Sequence, residues 1–161
     1  MSALQKVDHA ALRTNQAFII GLSVLAFILD LPVLALFVAS VMLAGSLLKR
    51  PGFGFVYRLA LKPLGWVKPD VLDDNPEPHR FAQTFGSIVL FLGTLSLTFS
   101  LTGLGWGLVW LVIALAALNL FGGFCVGCAM YYWLNRLHVP GFVKSPPPGT
   151  APGMRPKVDQ S

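Results

Sequence analysis

Charge is scarce in this sequence. Only 12% of its 161 residues are Asp, Glu, Lys or Arg, about half the share found in soluble domains. Too few charged groups exist to coat a water-facing surface, which argues against a soluble globular protein. Disorder over most of the length is equally disfavoured, because 55% of the residues are hydrophobic and the mean hydropathy is +0.67. Catalytic signatures are missing as well. There is no phosphate loop, nucleophile elbow, zinc-protease motif or dinucleotide fingerprint. A c-type haem site needs His directly after a C-x-x-C, and Ala129 stands there instead. What remains is an integral membrane protein.

Four apolar runs are present, roughly 10–29, 32–48, 81–102 and 104–122. Each approaches the ~20 residues needed to cross the hydrocarbon core as a helix. Lipid supplies no water to backbone groups, and these continuous Leu-, Ala- and Phe-rich runs predict helices rather than alternating strands. Asp30-Leu31-Pro32 predicts a tight turn between the first two. The glycines of Thr102-Gly103-Leu104-Gly105-Trp106-Gly107 predict another between the last two, with Trp106 at the membrane interface. The expected fold is an all-α membrane protein: four transmembrane helices in two hairpins.

The basic residues fall before the first run (Lys6, Arg13), between the hairpins (Lys49, Arg50, Arg58, Lys62, Lys68, Arg80) and after the last run (Arg136, Lys144, Arg155, Lys157). Neither hairpin tip carries any. With four spans, all three groups share one side, and the positive-inside rule makes it the cytoplasm, with both termini there. Topology and anionic headgroups account for the net charge of +5, so no nucleic-acid partner is expected. The first run leads straight into a second, which argues against a cleaved signal peptide. Residues 143–161, opening with Ser145-Pro146-Pro147-Pro148-Gly149, are expected to form a disordered, Pro-rich cytoplasmic tail beyond a transmembrane domain at 1–142.

The stretch from Phe53 to Trp66 mixes aromatics and aliphatics with Arg58 and Lys62, four apart, as a short amphipathic interfacial helix would. Pro63 should end or kink it. The acidic, Pro-rich segment that follows, to Pro78, is expected to be irregular. A faint repeat connects the halves. Arg13 and Gln16 open the first hairpin, Arg80 and Gln83 the second, with His9 and His79 nearby. Gly52-Phe53 and Gly123-Phe124 close them, each followed by an aromatic-rich helical stretch. Two parallel repeats, about 8–62 and 77–138, would be related by an axis along the membrane normal.

Cys125-Val126-Gly127-Cys128 holds the only cysteines. Gly122 and Gly123 can end the fourth helix so that a new one starts near Cys125. A helix N-terminus stabilises a thiolate, and residues three apart on a first turn come close enough to bridge. On the reducing cytoplasmic face, a cycling thiol pair is expected rather than a standing disulfide. Cys125 would attack or accept sulfur, Cys128 would resolve, and His79 and Arg80 would tune the thiols and shuttle protons. Arg13, Asn15, Gln16 and Gln83 are the candidate substrate-binding set. The alternative is that both cysteines are small apolar fillers, and the polar residues ordinary caps and anchors. No metal is expected, since His9, His79 and His138 lack metal-ligand spacing, and no other cofactor is implied.

The segments D-H-x-x-x-R-x-N-Q (Asp8 to Gln16), H-R-F-x-Q-x-F-G (His79 to Gly86) and F-C-x-G-C-x-x-Y (Phe124 to Tyr131) resemble the bacterial membrane family catalogued as domain of unknown function 4395. The resemblance covers about residues 5–138. It implies a small multi-spanning protein of the bacterial inner membrane, without an established activity. It also implies company with thioredoxin-like proteins and sulfurtransferases, which favours thiol or sulfur handling with such a partner. A small-anion or sulfur-species carrier, working as a homo-oligomer, and a non-catalytic subunit of a membrane complex are the other expectations.

Overall fold

A computed structural model describes residues 4–156. The described chain is mostly helical. Helices α1 (His9–Ile28), α4 (Pro76–Thr98) and α5 (Thr102–Gly122) are long and apolar enough to cross a membrane, whereas α2 (Pro32–Leu47) is shorter at 16 residues. Contacts run α1 to α2, α2 to α4, α4 to α5 and α5 back to α1, a closed ring of four. Its centre is filled by Ala26, Ala35, Val38, Leu90 and Val109, none with any exposed surface. The outside is equally apolar: Ile28, Val33, Phe37, Leu92, Leu111 and Phe121 stand exposed around the ring. In water such a surface would aggregate, and in lipid it is solvated.

Two short pieces follow the helix pairs. After α2, helix α3 (Gly54–Val56) runs into a π-helical turn, Tyr57–Leu61, and the chain turns at Pro63. After α5 comes α6 (Val126–Arg136), which packs on α4. The second tip departs from expectation. Helix α5 begins at Thr102 and its glycines are helical. The reversal falls at Phe99 to Leu101, with Ser100 at φ 61°. Gly105 serves packing instead: a methyl group there would meet Leu97 and come within 2.9 Å of the Gly93 carbonyl. Trp106 is likewise buried, edge-on to Phe27, rather than lying open at the interface.

The acidic segment expected to be irregular contains a strand. Strand β1 (Gln5–Asp8) pairs antiparallel with β2 (Val71–Asp74), with Gln5 opposite Asp74 and Asp8 opposite Val71. Asp8 ties the end of this ribbon, its Oδ1 accepting from Ala10 N as the N-cap of α1 and from Asp70 N. The ribbon closes the end of the bundle where α1 and α4 begin.

The tail also departs from expectation. Residues 143–156 have no helix, but they are laid against the domain. Gly153 O accepts from Cys125 N (2.7 Å) and Gly123 O from Arg155 N (3.0 Å). Met154 bridges to Phe124, Lys144 pairs with Glu77 at 3.7 Å, and Arg155 pairs with Asp70. Polar partners on the ribbon and on α4 hold a segment whose composition alone would leave it free. The remaining tail positions, 157–161, lie outside the described residues.

Candidate functional site

Gly123, in the left-handed conformation at φ 64°, ends α5 and turns the chain into Cys125. Cys125 is the N-cap of α6, and its Sγ accepts from the Cys128 N–H at 3.2 Å. Placing a sulfur over the free N–H groups of a first helical turn favours the thiolate. Cys125 and Cys128 form a disulfide, with Cα atoms 5.2 Å apart, inside the range a bridge requires. A bridge is therefore present, and the first-turn geometry brings the sulfurs together; the same bond is the oxidised half of the cycling pair expected from the sequence. Both cysteines are buried.

His79, on the first turn of α4, faces them. Its Nδ1 lies 3.5 Å from Cys128 Sγ, while its Nε2 lies 2.9 Å from Asp74 Oδ2. Burial alone would raise the Asp74 carboxyl. The hydrogen bond from His79, the close approach of His9, the charge of His79 and the Asn75 N–H outweigh burial and hold Asp74 well below the usual carboxylate range. An ionised carboxylate only accepts, so the His79 Nε2 carries a proton toward Asp74 and Nδ1 is the ring nitrogen that faces the sulfur. His9 approaches the same oxygen from α1 at 3.2 Å, but out of line, so its buried Nε2 has no hydrogen-bond partner. The two imidazoles stand edge to face, centroids 5.7 Å apart. Behind them Asn75 donates to Tyr132 Oη at 3.4 Å. Burial, with the nearby Asp74 charge, pushes the Tyr132 phenol up to about 12, against the lowering effect of the Asn75 bond.

These groups line a pocket of about 250 Å³ whose rim includes Arg13, Gln16 and Arg155. Among the expected site residues, Cys125, Cys128 and His79 meet in it, and Arg13 and Gln16 border it. Arg80 does not. It lines a neighbouring pocket with Lys6, Lys49 and Arg50, which His79 also borders. Asn15 and Gln83 are occupied elsewhere. Asn15 Oδ1 accepts from Phe53 N (2.8 Å), Gln83 Nε2 donates to Met42 O (2.6 Å), and the two side chains bond each other at 3.4 Å. These bonds clamp the turn after α2, and the same two side chains also border a cavity of about 100 Å³ that meets Gln16, His79 and Cys125.

Asp74 is the residue that sequence reasoning missed. It lies in the segment read as irregular, and only the pairing of β1 with β2 brings it under both histidines. The same folding gathers ligand-type atoms that sequence spacing kept apart. Those of His79, Cys125 and Cys128 lie within 4.8 Å of one another, as do those of His9, Asp74 and His79.

The regions carrying the histidines, the carboxylate and the cysteines all fall inside one family match. The chain belongs to the family described as Domain of unknown function (DUF4395), whose profile matches residues 7–136. No curated protein and no solved structure gives a significant match.

Proposed function

We propose that this member of the domain of unknown function 4395 family exchanges thiols and disulfides at the membrane surface, through Cys125 and Cys128. The observation that carries the reading is the chain Asp74–His79–Cys128, with 2.9 Å and 3.5 Å links. In the reduced protein the Cys125 thiolate, held by the α6 N-terminus, attacks a substrate disulfide. A mixed disulfide forms and one substrate thiolate leaves. His79 Nδ1 then takes the Cys128 proton, and the Cys128 thiolate attacks Cys125 Sγ. The second substrate thiolate departs, and two electrons have passed to the substrate. Run in reverse, the same steps oxidise a partner dithiol. A thioredoxin-like or sulfurtransferase partner suits this chemistry.

We place the protein in the bacterial inner membrane with four spans, α2 the shortest of them, and with both termini and the site cytoplasmic. The ribbon, the basic residues and the cysteines cluster at one end of the ring, which supports that orientation. Support for two parallel repeats comes from His9 and His79, which stand near the corresponding helix starts and share Asp74.

The test is trapping. Full-length protein with Cys128→Ser should accumulate a mixed disulfide through Cys125 with a small disulfide substrate, and Cys125→Ser should not. Equal, negligible reactivity in both variants and in the reduced wild type would defeat the reading.

A further inference from the structure

We propose that the reduced site binds a thiophilic divalent cation of the zinc type, through Cys125 Sγ, Cys128 Sγ and His79 Nδ1, with a fourth position open to the pocket. The inference rests on the thiol reading only in requiring that the disulfide can be reduced. Reduction by a dithiol opens the bridge and leaves the reductant as its own disulfide. Binding of the cation then displaces two thiol protons.

Three observations carry it. The first is spacing. Zinc bonds to sulfur of about 2.3 Å and to nitrogen of about 2.0–2.1 Å give tetrahedral edges of about 3.6 Å between S and N and about 3.8 Å between two sulfurs. Cys128 Sγ already stands 3.5 Å from His79 Nδ1, and all three ligand atoms lie within 4.8 Å of one another. Opening the bridge to a non-bonded sulfur separation is the main change required. The second is tautomer. Metal-bound histidines nearly always give their other ring N–H to a carboxylate, a backbone carbonyl or a water, and His79 Nε2 lies 2.9 Å from Asp74 Oδ2, leaving Nδ1 free to ligate. The third is an unmet polar group: His9 Nε2, in a residue 5% exposed, lacks a hydrogen-bond partner and borders the same pocket. Two thiolates with an imidazole select zinc-type ions over magnesium or calcium, which prefer oxygen.

The probe is cobalt(II), which reports thiolate ligation by colour. Full-length protein in detergent is reduced with dithiothreitol, desalted without oxygen and titrated with Co²⁺. The expected result is one equivalent bound, with intense visible and thiolate charge-transfer bands that one equivalent of Zn²⁺ bleaches. The oxidised protein and the Cys125→Ser, Cys128→Ser double variant should show neither band. His79→Ala should lose the tetrahedral visible band, while His138→Ala keeps it. Asp74→Asn, a positioning change, should weaken affinity about 10- to 100-fold without altering the spectrum. Zinc should also slow alkylation of the reduced cysteines in the wild type. A reduced, folded wild type that binds Co²⁺ no better than the double variant overturns the inference. If that same preparation still forms the mixed disulfide, the thiol reading stands. Co²⁺ binding without any disulfide exchange would have the converse meaning, supporting the cation site and removing the exchange function.

Discussion

Gly127 lies directly against Ala82, so close that a methyl group on Gly127 would fall 2.5 Å from the Ala82 Cβ and 2.7 Å from its Cα. This is where α6 meets α4, between the two cysteines on one side and one turn beyond His79 on the other. The glycine in Cys-Val-Gly-Cys thus sets the distance from sulfur to imidazole. Gly127→Ala should destabilise the protein by about 1–3 kcal/mol through overpacking and should slow exchange at Cys128. Thermal unfolding in detergent and the rate of mixed-disulfide resolution measure the two effects. Unchanged resolution in a destabilised protein would separate packing from chemistry and refute the second effect.

Asp74→Asn removes the charged acceptor for His79 Nε2 and lets an amide N–H face the ring instead. Loss of general-base assistance should slow resolution about 100-fold while leaving alkylation of reduced Cys125 near the wild-type rate. A parallel fall in both rates would mean the site had collapsed instead.

The depressed Asp74 carboxyl also fixes a pH dependence. Its contribution to stability is complete above the unfolded carboxylate value of about 3.9 and is lost only as pH falls through its lower folded value. The stability advantage of wild type over Asp74→Asn should therefore persist undiminished from neutrality to about pH 4 and shrink on further acidification. Chemical denaturation across that range checks it, and an advantage already gone at pH 5 would contradict the ionised, hydrogen-bonded state.

Gln83→Leu should cost about 1–3 kcal/mol by leaving the Met42 carbonyl and Asn15 without their buried partner, with exchange rates retained. A stable variant with impaired substrate turnover would restore the substrate-binding role first expected of Gln83.

Arg155→Ala, by releasing the strap from Asp70, should raise the rate at which a water-soluble phosphine reduces the disulfide. Gly153→Val should do so more strongly. Gly153 has φ 83°, and a Cβ there would come within 2.8 Å of the Ala129 Cβ and the Cys125 carbonyl. Equal reduction rates in all three proteins would show that the strap does not guard the sulfurs.

Much of this was legible in the sequence, and for a clear reason. Apolar length marks α1, α4 and α5, and the paired glycines before Cys125 mark a new helix start, because each depends on neighbours in sequence. Three features were not legible. Two four-residue strands separated by more than sixty positions carry no local signal, so Asp74 could not be placed under His9 and His79. The glycines of α5 read as turn residues, since close helix approach and chain reversal favour the same amino acid. The segment from Lys144 to Arg155 is held by single contacts to Glu77, Asp70 and Cys125 rather than by a periodic face. The polarity of Asn15 and Gln83 read as that of a binding site, and only their partners reveal that they also clamp the turn after α2.

The backbone bond from Cys125 to Gly153 has a temporal side. Gly153 is added 25 residues after Cys128, roughly one to five seconds later at ordinary translation speed. The bond can form only after the whole of α6 has been made. The cover over Cys125 is thus the last piece of the site to be synthesised.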